Sequence, residues 1–170
     1  RFQVEAESLR KELNENLGLA IAELRVLNVY DLFGFSDELV ERCRYSVFGE
    51  IVTDSVTDEC DMQGMPYLAV EFLPGQFDQR AASAVDCVHL IEPNAEVKIK
   101  SSHILVFDAS VTPEVMARIE KYYINAVESR KKNLEVLSDA ESAEIKSVPV
   151  LEGFREMKEE ELAAYCKTNG

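Results

Sequence analysis

The chain has 170 residues, 46% of them apolar and 29% charged, which is the composition of one folded domain of ordinary size, or of one and the start of a second. Its 18 Lys and Arg against 32 Asp and Glu leave a formal charge of -14. That charge repels phosphate backbones and anionic lipid, so nucleic acid and membrane surfaces are not expected partners, and metal binding is a minority reading of an acidity that mainly serves solubility.

From Val4 to Leu17, apolar residues at Val4, Ala6, Leu9, Leu13 and Leu17 place one stripe on a helix that Gly18 closes. Glu23 to Tyr30 alternates and carries β-branched and aromatic residues, which predicts a strand, with Asp31 to Phe35 as a turn around Gly34. Ser36 is a good N-cap for a helix with Asp37 and Glu38 in its first turn and Leu39, Val40, Cys43 and Val47 as its buried stripe. Ile51 to Thr57 reads as an exposed edge strand and Asp58 to Met65 as a polar loop.

Pro66 to Leu73 is the strongest strand pattern in the chain. Pro74-Gly75 punctuates it before a helix from about Phe77 to Ile91, whose Ala81, Ala82, Ala84, Val85 and Val88 form a small-residue face for close packing. After a turn at Pro93-Asn94, Glu96 to Lys100 alternates and His103 to Phe107 continues as a buried strand. Thr112, Pro113 and Glu114 then supply a cap, a first-turn proline and a first-turn acid for a helix burying Val115, Ile119, Tyr122, Tyr123 and Ala126.

The two halves echo each other. Glu23-Leu24-Arg25-Val26 and Ser36-Asp37-Glu38-Leu39-Val40 recur as Glu96-Val97-Lys98-Ile99 and Thr112-Pro113-Glu114-Val115-Met116. The expected fold class is α+β: an internally duplicated two-layer α/β sandwich with a mainly antiparallel sheet and helices on one face. Only the second half has a strand before its first helix, so residues preceding Arg1 are expected to supply the first half's equivalent, and pairing of the halves is expected to bury both exposed sheet faces. Residues 1–127 form the duplicated domain in this reading. Residues 128–148, rich in Ser, Glu and Lys, read as a linker, and 149–170 as the start of a further domain within a longer chain.

Little in the sequence carries chemistry. His89 and His103 stand beside no nucleophile, the Glu159-Glu160-Glu161 run points to different helix faces, and no phosphate-cradling glycine motif is present. The four cysteines are far apart and read as reduced thiols, with Cys43 and Cys87 as small core side chains. No catalytic, cofactor-binding or metal-ligating residue is assigned. The over-specified segment is Leu73 to Arg80, where Gln76, Phe77, Asp78, Gln79 and Arg80 are interface candidates and, equally, the parts of a turn and helix cap. No apolar run approaches the roughly 20 residues that cross a bilayer, and no secretion leader opens the chain, so a cytoplasmic protein is expected although Arg1 is no initiator.

Tyr30-Asp31 with Gly34 and Ser36, then Glu71 through Arg80 with Ser83 and Cys87, resemble the N-terminal domain of the long single-chain phosphoribosylformylglycinamidine synthases. Leu151-Glu152-Gly153-Phe154-Arg155 with Glu160-Glu161-Leu162 resembles the start of that family's linker domain. The resemblance implies a parent ligase of purine biosynthesis that uses ATP, magnesium and glutamine as amide donor, with all its catalytic residues in later synthase and glutaminase domains. It further implies likeness to two copies of the small bridging subunit of the split enzyme. The implied role is to organise synthase and glutaminase domains of the same chain for ammonia transfer, with weak self-association at most for the isolated segment. The alternative is a stand-alone regulatory α/β module that binds small molecules such as amino acids between its halves.

Overall fold

The computed structural model describes residues 3–59, 61–138, 157–159, 161–163 and 165. The elements run α1 (Val4–Leu17), β1 (Leu24–Phe33), α2 (Asp37–Cys43), β2 (Tyr67–Phe72), α3 (Gln79–Ile91), β3 (Lys98–Phe107), α4 (Pro113–Tyr123) and β4 (Ser129–Lys131). The strands form one antiparallel sheet in the order β1-β3-β2-β4. The α+β architecture expected from the sequence is present.

Each helix forms for a local reason. α1 ends where Gly18 turns left-handed (φ 60°) and its N–H bonds the Asn14 carbonyl. The Ser36 hydroxyl accepts from Leu39 N–H at 3.2 Å, and the Thr112 hydroxyl from Val115 N–H at 3.4 Å. The β1–α2 corner depends on Gly34, at φ 78°, because a Cβ there would lie 2.4 Å from the Glu96 carbonyl oxygen.

Side-chain alternation puts all four helices on one face of the sheet. Leu24 and Val26 of β1, Leu68 and Val70 of β2 and Leu105 and Phe107 of β3 pack with α1 and α4. Tyr30, Leu32 and Ile99 on the same face pack with α2 and α3. Each strand's preceding helix thus meets the helix that follows the other strand, the arrangement a twofold axis demands.

The duplication is visible at matching depths. At a constant offset of 75 positions the burial patterns of α1 and α3 agree, so that buried Ala6 corresponds to Ala81 and fully buried Leu13 to Val88. The N-cap side chains correspond as well: Gln3 accepts from Val26 N–H at 3.0 Å, and Asp78 accepts from Ser101 N–H at 2.8 Å. Cys43 of α2 and Ile119 of α4 are both completely buried. This register matches Val26 to Ser101, not to Ile99 as the sequence echo has it, and it sets the pseudo-axis at the cross-strand pair Asn28–His103.

Several local expectations change. β1 runs on to Phe33, because Asp31 and Phe33 pair with Lys100 and Lys98, and the turn is confined to its end. Residues 51–57 form a turn at 51–53 and irregular chain after it, not an edge strand: Asp54 accepts from Glu50 N–H at 2.9 Å, returns its own N–H to the Glu50 carbonyl, and Ile51 and Val52 point to solvent. Val47 and Ala126 lie beyond their helices, Tyr122 is exposed, and Cys87 faces solvent while Cys43 is buried. Ser129–Lys131, inside the expected linker, is β4 and pairs with β2. Residues 139–148 of that linker and most of 149–170, with Cys60 and Cys166, lie outside the described residues.

The halves join edge to edge through β1 and β3, so pairing extends one sheet and does not bury its second face. That face is covered instead by Met62 of the preceding loop and Leu134 after β4, against Leu27, Val29, Ala69, Ile104 and Val106. Among them lies the buried Lys132, whose ammonium is paired with Asp31 and donates to the Ser102 hydroxyl at 3.1 Å. At the outer edge of β1, the Gln3 side-chain amide bonds both N–H and C=O of Val26, as a neighbouring strand would.

Removing the carboxylate under Lys132 strands a buried charge. Asp31→Ala should lower unfolding free energy by about 3 kcal/mol in urea titrations, whereas Asp31→Leu with Lys132→Met should recover most of the loss. Equal loss in both variants would show that the pair does not set the stability of this face.

Candidate functional site

The segment between β2 and α3 is built around a turn. Leu73-Pro74-Gly75-Gln76 closes with Gln76 N–H on the Leu73 carbonyl at 3.0 Å, Pro occupies the second position, and Gly75 has the positive φ (88°) the third requires. Leu73 N–H bonds the Glu128 carbonyl and the Gln76 amide donates to the Val127 carbonyl at 3.2 Å, which fastens the turn to the start of β4.

Asp78 is the mechanical centre of the segment. Its Oδ1 accepts from Ala81 N–H at 2.9 Å, capping α3, and from the Ser101 hydroxyl at 2.8 Å, while Oδ2 takes the Ser101 N–H. One carboxylate therefore joins the first turn of the helix to the middle of β3, where Ser101 is buried. Of the five interface candidates, Asp78 and Gln76 are spent on the fold. Phe77, which is 76% exposed, Gln79 and Arg80 are presented outward.

These outward groups border a cavity of about 550 Å³, lined by Phe72, Phe77, Gln79, Arg80, Ser83, Ser101 and His103. Phe72 is 40% exposed. Among the described residues Arg80 forms no ion pair, in a chain where carboxylates outnumber cations. At the floor stands His103, on the helix-covered face beside Ser101, with its buried Nδ1 lacking a hydrogen-bond partner among the described residues. Burial holds the His103 pKa below its ordinary value, the Arg80 charge lowers it further, and Glu5 and Asp78 oppose them. The imidazole is thus held neutral. His89, by contrast, is exposed, with Nε2 3.1 Å from the Ala95 carbonyl.

Sequence reasoning selected the turn but missed His103 as part of the same site, because Gln79 and His103 are far apart in the chain and meet only through the Asp78–Ser101 clamp. An outward Phe beside an uncapped Arg in a cap sequence is the one signal that separates spent from unspent residues. Among the described residues no His, Cys, Asp or Glu cluster is arranged to hold a metal ion, and no helix is long and apolar enough to cross a membrane. Comparison with family models, curated proteins and solved structures gives no match.

The division of labour within the segment is measurable. Asp78→Ala should cost about 2 kcal/mol of stability by losing the cap and leaving Ser101 unsatisfied, while Phe77→Ala and Arg80→Ala should stay within about 0.5 kcal/mol of the parent in chemical denaturation. A costly Phe77→Ala would place that ring in the core.

His103 also sets a pH dependence. Its folded pKa lies below the ordinary 6.5, so the unfolded chain binds the extra proton and stability falls as pH drops through about 6.5. His103→Gln should flatten that part of the stability profile, measured by denaturation between pH 7.5 and pH 5 at roughly half-unit steps. An unchanged slope would assign it to other groups.

Proposed function

We propose that the chain is a non-catalytic assembly module, and in particular the N-terminal domain of a long single-chain phosphoribosylformylglycinamidine synthase. The observation that carries this reading is the run Glu71 to Arg80, whose mixed composition resembles that family over ten consecutive positions, supported by the duplicated fold. The parent enzyme of this reading is a cytoplasmic ligase of purine biosynthesis, dependent on ATP and magnesium, that takes ammonia from glutamine. The present segment supplies no reacting group to it. Its partners are the synthase and glutaminase domains of the same chain, and neither nucleic acid nor membrane is among them.

The physical case for an organising role rests on stiffness and display. The helix-covered face is anchored at the cap of α3, so Phe77, Gln79 and Arg80 project from a support fixed by four hydrogen bonds to Asp78 and Gln76. An aromatic ring with an unpaired guanidinium is the side-chain combination that anchors protein interfaces.

The test is reconstitution. Adding the purified chain to the separately produced synthase and glutaminase parts should restore glutamine-dependent ligase activity, with ammonia-dependent activity already present without it. Phe77→Ala or Arg80→Ala should weaken that restoration at least about tenfold in half-saturating concentration. Neither binding nor restoration by the parent chain would overturn the reading.

A further inference from the structure

Two cavities lie at the starts of α1 and α3, and their charges differ. The smaller, about 380 Å³ beside α1 and β1, holds two cations, Arg10 and Arg25, and two carboxylates, Glu7 and Glu23. The Arg10 guanidinium there is already bonded to Glu7 at 3.0 Å and to the Ile21 carbonyl at 3.2 Å. The larger, over His103, is lined by one cation, Arg80, and no carboxylate, in a chain of 32 Asp and Glu. Asp78 is close by, but its oxygens are taken by Ala81 N–H and by the N–H and hydroxyl of Ser101. Arg80 therefore has no ionic partner among the described residues. The rest of the lining divides by chemistry. Phe72 and Phe77 present partly exposed rings on which an apolar body would remove area from water. Gln79 and Ser83 are exposed donors, and the buried His103 Nδ1 has no partner among the described residues.

We propose that the cavity over His103 binds a small aromatic monocarboxylate. The ring lies against Phe72 and Phe77, and the carboxylate accepts from the Arg80 guanidinium, the Ser83 hydroxyl and the His103 Nδ1–H. Donation from Nδ1 fixes the neutral imidazole in one tautomer. The Ser101 hydroxyl already donates to Asp78 and adds no donor. The volume, about 550 Å³, is within the range that small-ligand sites occupy, with an apolar wall and few polar groups to fix orientation. The charge of the chain selects within the anions: one guanidinium offsets one carboxylate, whereas a phosphate dianion brings a second charge into the repelling field of a chain at -14. The site is complete within the isolated chain, so it goes beyond the assembly reading and does not rest on it. The two share Phe77 and Arg80, so a seated partner domain and a bound carboxylate exclude each other.

The experiment is an amide NMR titration of the 170-residue chain with 3-phenylpropionate, its neutral amide, acetate and inorganic phosphate. 3-Phenylpropionate should shift the amides of Ser83, Ser101 and His103 with a Kd on the order of 1 mM, as expected for a ligand of this size in an open site. The amide, which lacks the charge, and acetate, which lacks the ring, should each bind about tenfold more weakly. The ring nitrogen shifts of His103 should report the Nδ1–H tautomer in the complex. Arg80→Gln should reduce the acid to the affinity of its amide, and Phe77→Ala should bring it toward that of acetate. Both positions are exposed, so the variants keep the fold, which the unperturbed amides of α1 and β1 report. No shift at the three residues, or equal affinity for the acid and either its amide or acetate, would overturn the proposal. Tighter binding of phosphate than of 3-phenylpropionate would overturn it too, as would the Nε2–H tautomer in the complex. None of these outcomes bears on reconstitution of the ligase.

Discussion

The β1–β3 ladder holds the two halves together, and the other features take their positions from it. Its ten antiparallel pairs, from Leu24–Phe107 to Phe33–Lys98, bring residues from opposite ends of the duplicated unit side by side. Because alternate side chains leave a strand on opposite faces, fixing this register fixes which residues reach the helices and which do not. A slip of one position would send Leu105 and Phe107 to the face now held by Lys132 and Asp31, and bring Ile104 and Val106 under the helices. The buried ion pair thus works with the apolar core in specifying register, since Asp31 meets Lys132 only when β1 is aligned as observed.

The same seam explains why the centre of the helix-covered face is different from its flanks. Each pair of helices covers one end of the ladder, with Leu24, Val26, Leu105 and Phe107 beneath one and Leu32 and Ile99 beneath the other. At the middle of the ladder the helix-side residues include Asn28, Ser101 and His103. Polar side chains at such a place need partners. Ser101 obtains them from Asp78, and the His103 Nδ1 finds none among the described residues. A buried nitrogen without a protein partner carries a desolvation cost, and His103 stands at the pair on which the duplication is centred.

Helices and their caps were legible in the sequence because their causes are local. Gly18, Ser36 and Thr112 act within one turn of themselves, and each ends or begins a helix where expected. Strand extents and coverage were less so. β1 extends through Asp31 and Phe33 because β3 continues opposite them, and β4 exists because β2 offers a free edge, facts about partners distant in the chain. Ile51 to Thr57 has strand-forming residues but pairs with no strand among the described residues, so it stays irregular after a turn at 51–53. The duplication was visible in the motifs, yet its register was displaced in the strands. A sequence echo rewards identical residues such as Glu23 and Glu96, whereas the fold equates residues of equal depth and hydrogen bonding, such as Val26 and Ser101. The candidate site was half legible: the turn from Leu73 to Arg80 stood out by composition, while His103 entered it only through tertiary structure.

Duplication of this kind gives a domain two copies of every device, and divergence then decides which copy keeps a structural task. Gln3 and Asp78 show the result at the helix starts. Both reach the backbone of their own strand, but the neutral amide of Gln3 satisfies an otherwise open edge, while the carboxylate of Asp78 caps its helix and clamps an interior serine. The next residues but one, Glu5 and Arg80, have no such duty and differ in sign. A charge reversal across a pseudo-twofold is not needed to stabilise the sheet, the helix pairs or the caps, all of which are served by other residues. Surface positions that the fold does not require are where binding specificity is built, and Arg80 is one of them, on the rim of the cavity beside Phe77.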